Sequence, residues 1–81
     1  MKKYIKSYRG LTRNYRYEIY RMGANGYVLA GRAKDENDIE RVVRYIKDKI
    51  LNNPMMSDDE RYSAIHDMYI WDSETNETWK I

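Results

Sequence analysis

Basic and aromatic side chains are interleaved in the first half of this chain of 81 residues. Residues 1–35 hold nine lysines and arginines against two acids, a balance of +7, and six of the nine tyrosines. Residues 36–81 hold six bases and eleven acids, a balance of −5. Positively charged sheets with tyrosines that stack on bases bind single-stranded nucleic acid, and clustered lysines and arginines neutralise the phosphates of duplexes. The candidate binding residues are Lys3, Arg9, Arg13, Arg16, Tyr20 and Arg32.

This pattern predicts a non-catalytic binding protein that contacts nucleic acid, and an acidic protein surface is the alternative partner. Glu18 lies within the same segment and counts against phosphate binding. Tyrosine, tryptophan and arginine dominate the binding energy of protein interfaces, and Trp71 and Trp79 join the arginines as candidates for such an interface. The two partners predict different behaviour, because phosphate binding weakens steeply with salt.

The richness in Lys, Ile, Asn and Tyr is similar to that of phage or mobile-element products of low-GC bacteria. Such small proteins frequently inhibit host proteins, including nucleic-acid-handling defence complexes. An inhibitor of a host protein is therefore the second functional hypothesis for this chain.

Catalytic chemistry has little support in the sequence. A nucleophilic triad or a histidine metal site needs several convergent groups, and the chain offers one histidine, His66, and no cysteine. The run Asp58-Asp59-Glu60 is explained as the acidic first turn of a helix. The run Gly23-Ala24-Asn25-Gly26 lacks the Lys-Ser/Thr pair of a phosphate loop and is typical of a hairpin turn. We expect no enzyme, no cofactor, no metal and no small-molecule substrate.

Three strands are predicted in the basic half, at Lys3 to Arg9, Tyr15 to Met22 and Tyr27 to Ala33. Together they form an antiparallel meander. We expect one face of the meander to receive a helix and the opposite face to carry Arg16, Tyr20 and Arg32. The predicted helix-facing residues are Tyr15, Tyr17, Ile19, Tyr27 and Leu29.

Two helices and a hairpin are predicted in the acidic half. The first helix begins after Asp35 or Asn37 and ends near Asn52-Asn53-Pro54. A capping box, Ser57 with Glu60, begins a shorter second helix, which gives way to a strand around Asp67 or Met68. The regions of Trp71 and Trp79 pair as a closing hairpin. The first helix presents an apolar stripe at Ile39, Val42, Val43, Ile46 and Ile50.

The predicted fold is therefore α+β in the order β-β-β-α-α-β-β, within one domain spanning residues 1–81. A three-stranded meander followed by a helix, over residues 1 to about 51, resembles the arm-type DNA-binding domains of tyrosine recombinases. That resemblance rests on element order without a motif, and the acidic helix and hairpin have no counterpart in it, so no family is assigned.

The chain shows no signal-peptide pattern and no apolar run of membrane-spanning length, because Lys6 and Arg9 interrupt the N-terminal segment. We expect a cytoplasmic protein with no membrane partner. A free sheet edge at Lys3 to Arg9, or at the closing hairpin, could pair across a two-fold axis, so both a monomer and a homodimer fit the sequence.

Overall fold

The computed structural model describes residues 15–81, which form an α+β fold of four strands and two helices. The order β-β-α-α-β-β confirms the predicted fold class, and the predicted strand at Lys3 to Arg9 lies outside the described residues. The elements are β1 (Tyr17–Gly23), β2 (Gly26–Ala33), α1 (Glu36–Leu51), α2 (Asp58–His66), β3 (Met68–Asp72) and β4 (Glu77–Lys80).

All four strands belong to one antiparallel sheet in the order β2-β1-β3-β4. The chain leaves β2, forms both helices, and returns to place β3 beside β1. Ile19 lies opposite Ile70, and Ile70 lies opposite Trp79 in the predicted C-terminal hairpin. Both edges of β1 are therefore hydrogen-bonded, one to each half of the chain.

The turn between β1 and β2 sets the register of that hairpin. Gly23 pairs with Gly26, which adopts a φ of 119° that favours glycine, so only two residues form the turn. Tyr27 therefore lies opposite Met22, and Leu29 lies opposite Tyr20.

The prediction that Tyr27 and Leu29 face the helix was wrong. Cross-strand partners share a face, so the short turn assigns both residues to the face of Tyr20 instead of that of Ile19. Tyr27 is 44% exposed and Leu29 is 41% exposed. Tyr15, which precedes β1, is also exposed rather than buried under the helix.

A β-bulge at Ala30 then shifts the pairing of β2. Tyr20 lies opposite Leu29 but Ile19 lies opposite Gly31, so Ala30 is the extra residue. The bulge turns Gly31 toward α1. A Cβ atom at Gly31 would lie 2.9 Å from Cγ1 of Val42, so the absence of a side chain allows α1 to approach the sheet closely.

Helix α1 begins and ends at the predicted caps. The Asp35 side chain accepts a hydrogen bond from the backbone N–H of Asp38 at 3.0 Å, and Asn52 is the C-cap. The helix packs on β2. Its apolar stripe is confirmed, with Ile39 partly buried against the core and four residues fully buried: Val42, Val43, Ile46 and Ile50.

Helix α2 begins with the predicted capping box. The Ser57 hydroxyl accepts from the N–H of Glu60 at 3.2 Å, and the Glu60 carboxylate accepts from the N–H of Ser57 at 2.7 Å. The helix packs on β1 and buries Ala64. Together with α1 it covers one face of the sheet, where the core residues of the strands lie: Tyr17, Ile19, Ala33, Met68 and Ile70.

Neither helix in the described part of the chain is long and apolar enough to cross a membrane.

Candidate interaction surface

The face of the sheet opposite the helices carries most of the aromatic side chains of the strands. Because successive strand residues point to opposite faces, the burial of Tyr17 and Ile19 places Glu18 and Tyr20 on this second face. The register then adds the cross-strand partners of Glu18 and Tyr20. We call this surface the open face and define it by Glu18, Tyr20, Met22, Tyr27, Leu29, Arg32, Tyr69, Trp71, Thr78 and Lys80.

Two of its tyrosines contact each other across the sheet. The rings of Tyr27 and Tyr69 meet edge to face, with centroids 4.9 Å apart. The Tyr27 hydroxyl donates a 2.7 Å hydrogen bond to the Asp67 carboxylate, and this bond, more than any other interaction, raises the pKa of Tyr27. Both rings are therefore held in place at one end of the open face.

A carboxylate lies at the centre of the open face. One oxygen of Glu18, Oε1, accepts from the Tyr20 hydroxyl at 2.7 Å, and the other, Oε2, accepts from Arg32 Nε at 3.3 Å. Burial and the hydrogen bond to Glu18 raise the pKa of Tyr20 to about 12. The structure thus brings together two of the predicted binding residues, Tyr20 and Arg32, but it joins both to an acid.

Trp71 flanks this carboxylate on the other side. It lies opposite Glu18 in the register between β1 and β3, and its indole N–H donates to the side-chain oxygen of Asn76 at 2.9 Å. The ring is partly exposed. Trp79 belongs to the helix-side face, where its ring meets that of Tyr17 edge to face at 6.0 Å.

Arg16 is separated from the other predicted binding residues. Its guanidinium donates two hydrogen bonds to the carboxylate of Asp72, at 2.9 and 2.8 Å, and lies 3.4 Å from Glu74. Asp72 is 3% exposed and lies on the face of Tyr17. The hydrogen bonds from Arg16 lower the pKa of Asp72 to about 2. Arg16, which directly precedes β1, is therefore joined to β3 through Asp72. The structure does not place it beside Tyr20 and Arg32.

Three further candidates, Lys3, Arg9 and Arg13, lie outside the described residues. The net charge of the chain changes sign between residues 1–14 and residues 15–81. Residues 1–14 hold five bases and no acid, whereas residues 15–81 hold ten bases and thirteen acids, a balance of −3. The described part of the chain therefore carries an acidic balance.

Sequence reasoning did not predict that Tyr27 and Tyr69 lie on the open face. A signal for Tyr69 exists in the run from Met68 to Asp72, where two buried aliphatic residues alternate with two aromatic ones. That alternation predicts a strand with two different faces. It does not reveal that this strand pairs with β1, and without that pairing Tyr69 and Trp71 cannot be placed beside Tyr20 and Glu18.

Metal chemistry finds no support between residues 15 and 81, where no group of three or more acidic, histidine or cysteine side chains could hold an ion. His66 is exposed, and its ring contacts that of Tyr62 with centroids 4.2 Å apart.

Comparison of the chain with protein-family models, with curated proteins and with solved structures finds no match.

Proposed function

We propose that this chain is a non-catalytic binding protein whose open face docks on a protein partner with an apolar contact surface. The observation that carries the proposal is the concentration of aromatic rings on one side of the sheet. Tyr20, Tyr69 and Trp71 lie on adjacent central strands, and Tyr27 extends the surface onto β2. Rigid aromatic side chains of this kind supply the largest share of binding energy at protein interfaces.

Electrostatics favours a protein partner over phosphate for this surface. A phosphate that approached Arg32 would lie beside the Glu18 carboxylate, and one that approached Arg16 would have to replace Asp72. Charged groups that are already paired leave a neutral centre, and the cores of protein interfaces are depleted of unpaired charge in the same way.

Binding alone would be sufficient for the inhibitory role suggested by the composition. A stoichiometric inhibitor of a host protein blocks its target by occupying a surface, and it needs neither a cofactor nor a reactive group.

The proposal is tested by removing rings from the open face. Tyr20→Ala combined with Tyr69→Ala is compared with Tyr45→Ala combined with Tyr62→Ala, a control that removes two exposed tyrosines from the helices. Partners are captured from nuclease-treated lysate of the source cells, and the retained protein is then purified and titrated by calorimetry. We expect the control to bind like the parent chain and the open-face variant to lose at least about 2 kcal/mol of binding free energy.

Melting curves are recorded for both variants to establish that each one folds. Equal binding by the two variants, or a partner that nuclease treatment releases, would count against the open face as a protein-docking surface.

Nucleic acid remains a second candidate partner because of one specific observation. All five charged residues of segment 1–14 are basic, and three of the predicted binding residues, Lys3, Arg9 and Arg13, belong to it. The test is fluorescence anisotropy of labelled random duplex DNA and single-stranded RNA at low and near-physiological salt. Phosphate binding predicts an affinity that falls with salt and that is lost when these three residues are replaced by glutamine. No binding at either salt would exclude this candidate.

A further inference from the structure

Glu18 occupies a position from which it can determine what the open face accepts. It lies in β1 with Arg32 opposite on one side and Trp71 opposite on the other. Both of its oxygens are engaged, one by the Tyr20 hydroxyl and one by Arg32 Nε. Its side chain is nevertheless 22% exposed, so Glu18 is part of the accessible surface.

We infer that Glu18 is a specificity-determining residue of the open face, which excludes single-stranded nucleic acid and thereby reserves the surface for a protein partner. This inference rests on the proposed function. Without the carboxylate, the same position would offer a guanidinium, a tyrosine hydroxyl and the rings of Tyr20, Tyr69 and Trp71. Cations beside stacked aromatic rings are the combination with which proteins bind single strands.

The carboxylate acts against phosphate in two ways. It accepts the hydrogen bond that Arg32 Nε would otherwise donate to a phosphate oxygen, and charge-assisted bonds of that kind are among the stronger hydrogen bonds in proteins. It also presents a negative charge within a few ångströms of the place where a phosphate would lie, well inside the screening length of about 8 Å at physiological salt.

The experiment compares two substitutions that change the charge of the chain equally. Glu18→Gln removes a carboxylate paired with an arginine at 3.3 Å on the open face. Glu40→Gln removes a carboxylate paired with Arg44 at 3.4 Å on the exposed side of α1. Binding of a fluorescein-labelled oligothymidylate and of a labelled random RNA is measured by anisotropy, at about 50 and about 150 mM salt.

We expect Glu18→Gln to bind both single strands about tenfold more tightly than the parent chain at the lower salt, with a log–log salt slope steeper by about 0.7 for one additional phosphate contact. Glu40→Gln should stay within about twofold of the parent chain, because a single distant charge is largely screened. The double substitution Glu18→Gln with Arg32→Gln should lose the gain, because Arg32 would supply the new phosphate contact.

Two outcomes would overturn the inference: no gain in affinity with Glu18→Gln relative to the parent chain, or an equal gain with Glu40→Gln. Glu18→Thr, which suits a strand, provides a second variant if the glutamine variant does not fold. These outcomes are distinct from failure of the proposed function. That function is tested separately, by protein capture with the variant that combines Tyr20→Ala and Tyr69→Ala.

Discussion

The two faces of the sheet are built from alternate residues of the same strands and have opposite character. The helix-side face presents Tyr17, Ile19, Met68 and Ile70, which are buried under α1 and α2. The open face presents the residues between them, and there the polar groups of the side chains bond to one another, as the carboxylate of Glu18 does with its neighbours. Packing fixes the first face, whereas neither helix in the described part of the chain covers the second.

The arginine ion pairs of the two faces differ in the same way. Arg16 makes two short hydrogen bonds to a buried carboxylate, whereas Arg32 makes one longer bond and its side chain is half exposed. Exposed single pairs contribute little to stability. Two arginines that are equivalent in the sequence therefore have different surroundings, since Arg16 pairs with a buried carboxylate of β3 and Arg32 pairs with Glu18 at the exposed face.

The largest expected effect on stability comes from truncating a buried aliphatic side chain of the helix-side face. Ile19→Ala should lower the free energy of unfolding by about 3 kcal/mol, because Ile19 is fully buried and its removal leaves a cavity. Leu29→Ala, a matched aliphatic truncation at an exposed position opposite Tyr20, should cost less than about 1 kcal/mol. Urea unfolding of both variants measures the difference. Similar losses at the two positions would contradict the assignment of the faces.

A smaller effect is expected where α1 approaches the sheet. Gly31→Ala should cost about 2 kcal/mol, because the new methyl group would lie 2.9 Å from Cγ1 of Val42 and force the helix away. Val42→Ala removes that Cγ1 atom, so the double variant should be more stable than the sum of the two single changes predicts. A double-mutant cycle measures this coupling. Strict additivity would show that the contact between Gly31 and Val42 does not limit the packing of α1.

The sequence predicted the local elements well because their signals are local. The Asp35 cap, the capping box of Ser57 and Glu60 and the stripe of α1 each depend on residues within a few positions of one another. The two-residue turn at Gly23 to Gly26 is of the same kind. In each case the side chains that specify the element are contained in it.

Non-local pairing was beyond the reach of the sequence pattern. Nothing in the run from Met68 to Asp72 indicates that β3 pairs with β1, which lies more than forty residues earlier. The bulge at Ala30 is equally hidden, because it is a feature of the pairing between β2 and β1 and not of β2 alone. The prediction that Arg16 lies beside Tyr20 and Arg32 was wrong for this reason. Its partner Asp72 belongs to β3, and the sequence does not reveal where β3 lies.

The smallest effect concerns the Arg16–Asp72 pair and is confined to acidic solution. The pKa of Asp72 is lowered from 3.8 to about 2 by its hydrogen bonds from Arg16, so the folded state holds this carboxylate ionised where the unfolded state already binds a proton. The resulting stabilisation is complete above about pH 5 and is lost as the pH falls through 4 toward 2. The parent chain should therefore lose more of its Tm over this range than Asp72→Asn, which has no carboxylate to titrate.

Arg16→Gln sharpens this test because it keeps the carboxylate and removes its partner. The pKa of Asp72, followed through its side-chain carbon by NMR, should then rise toward the ordinary value for an aspartate, and the acid sensitivity of the Tm should fall to that of Asp72→Asn. The matched change Arg32→Gln on the open face should leave both readouts unaltered, because Arg32 pairs with Glu18 and not with Asp72. An Asp72 that titrates normally in the parent chain would remove the distinction between the two arginine pairs, and with it the reason for treating Arg16 as structural.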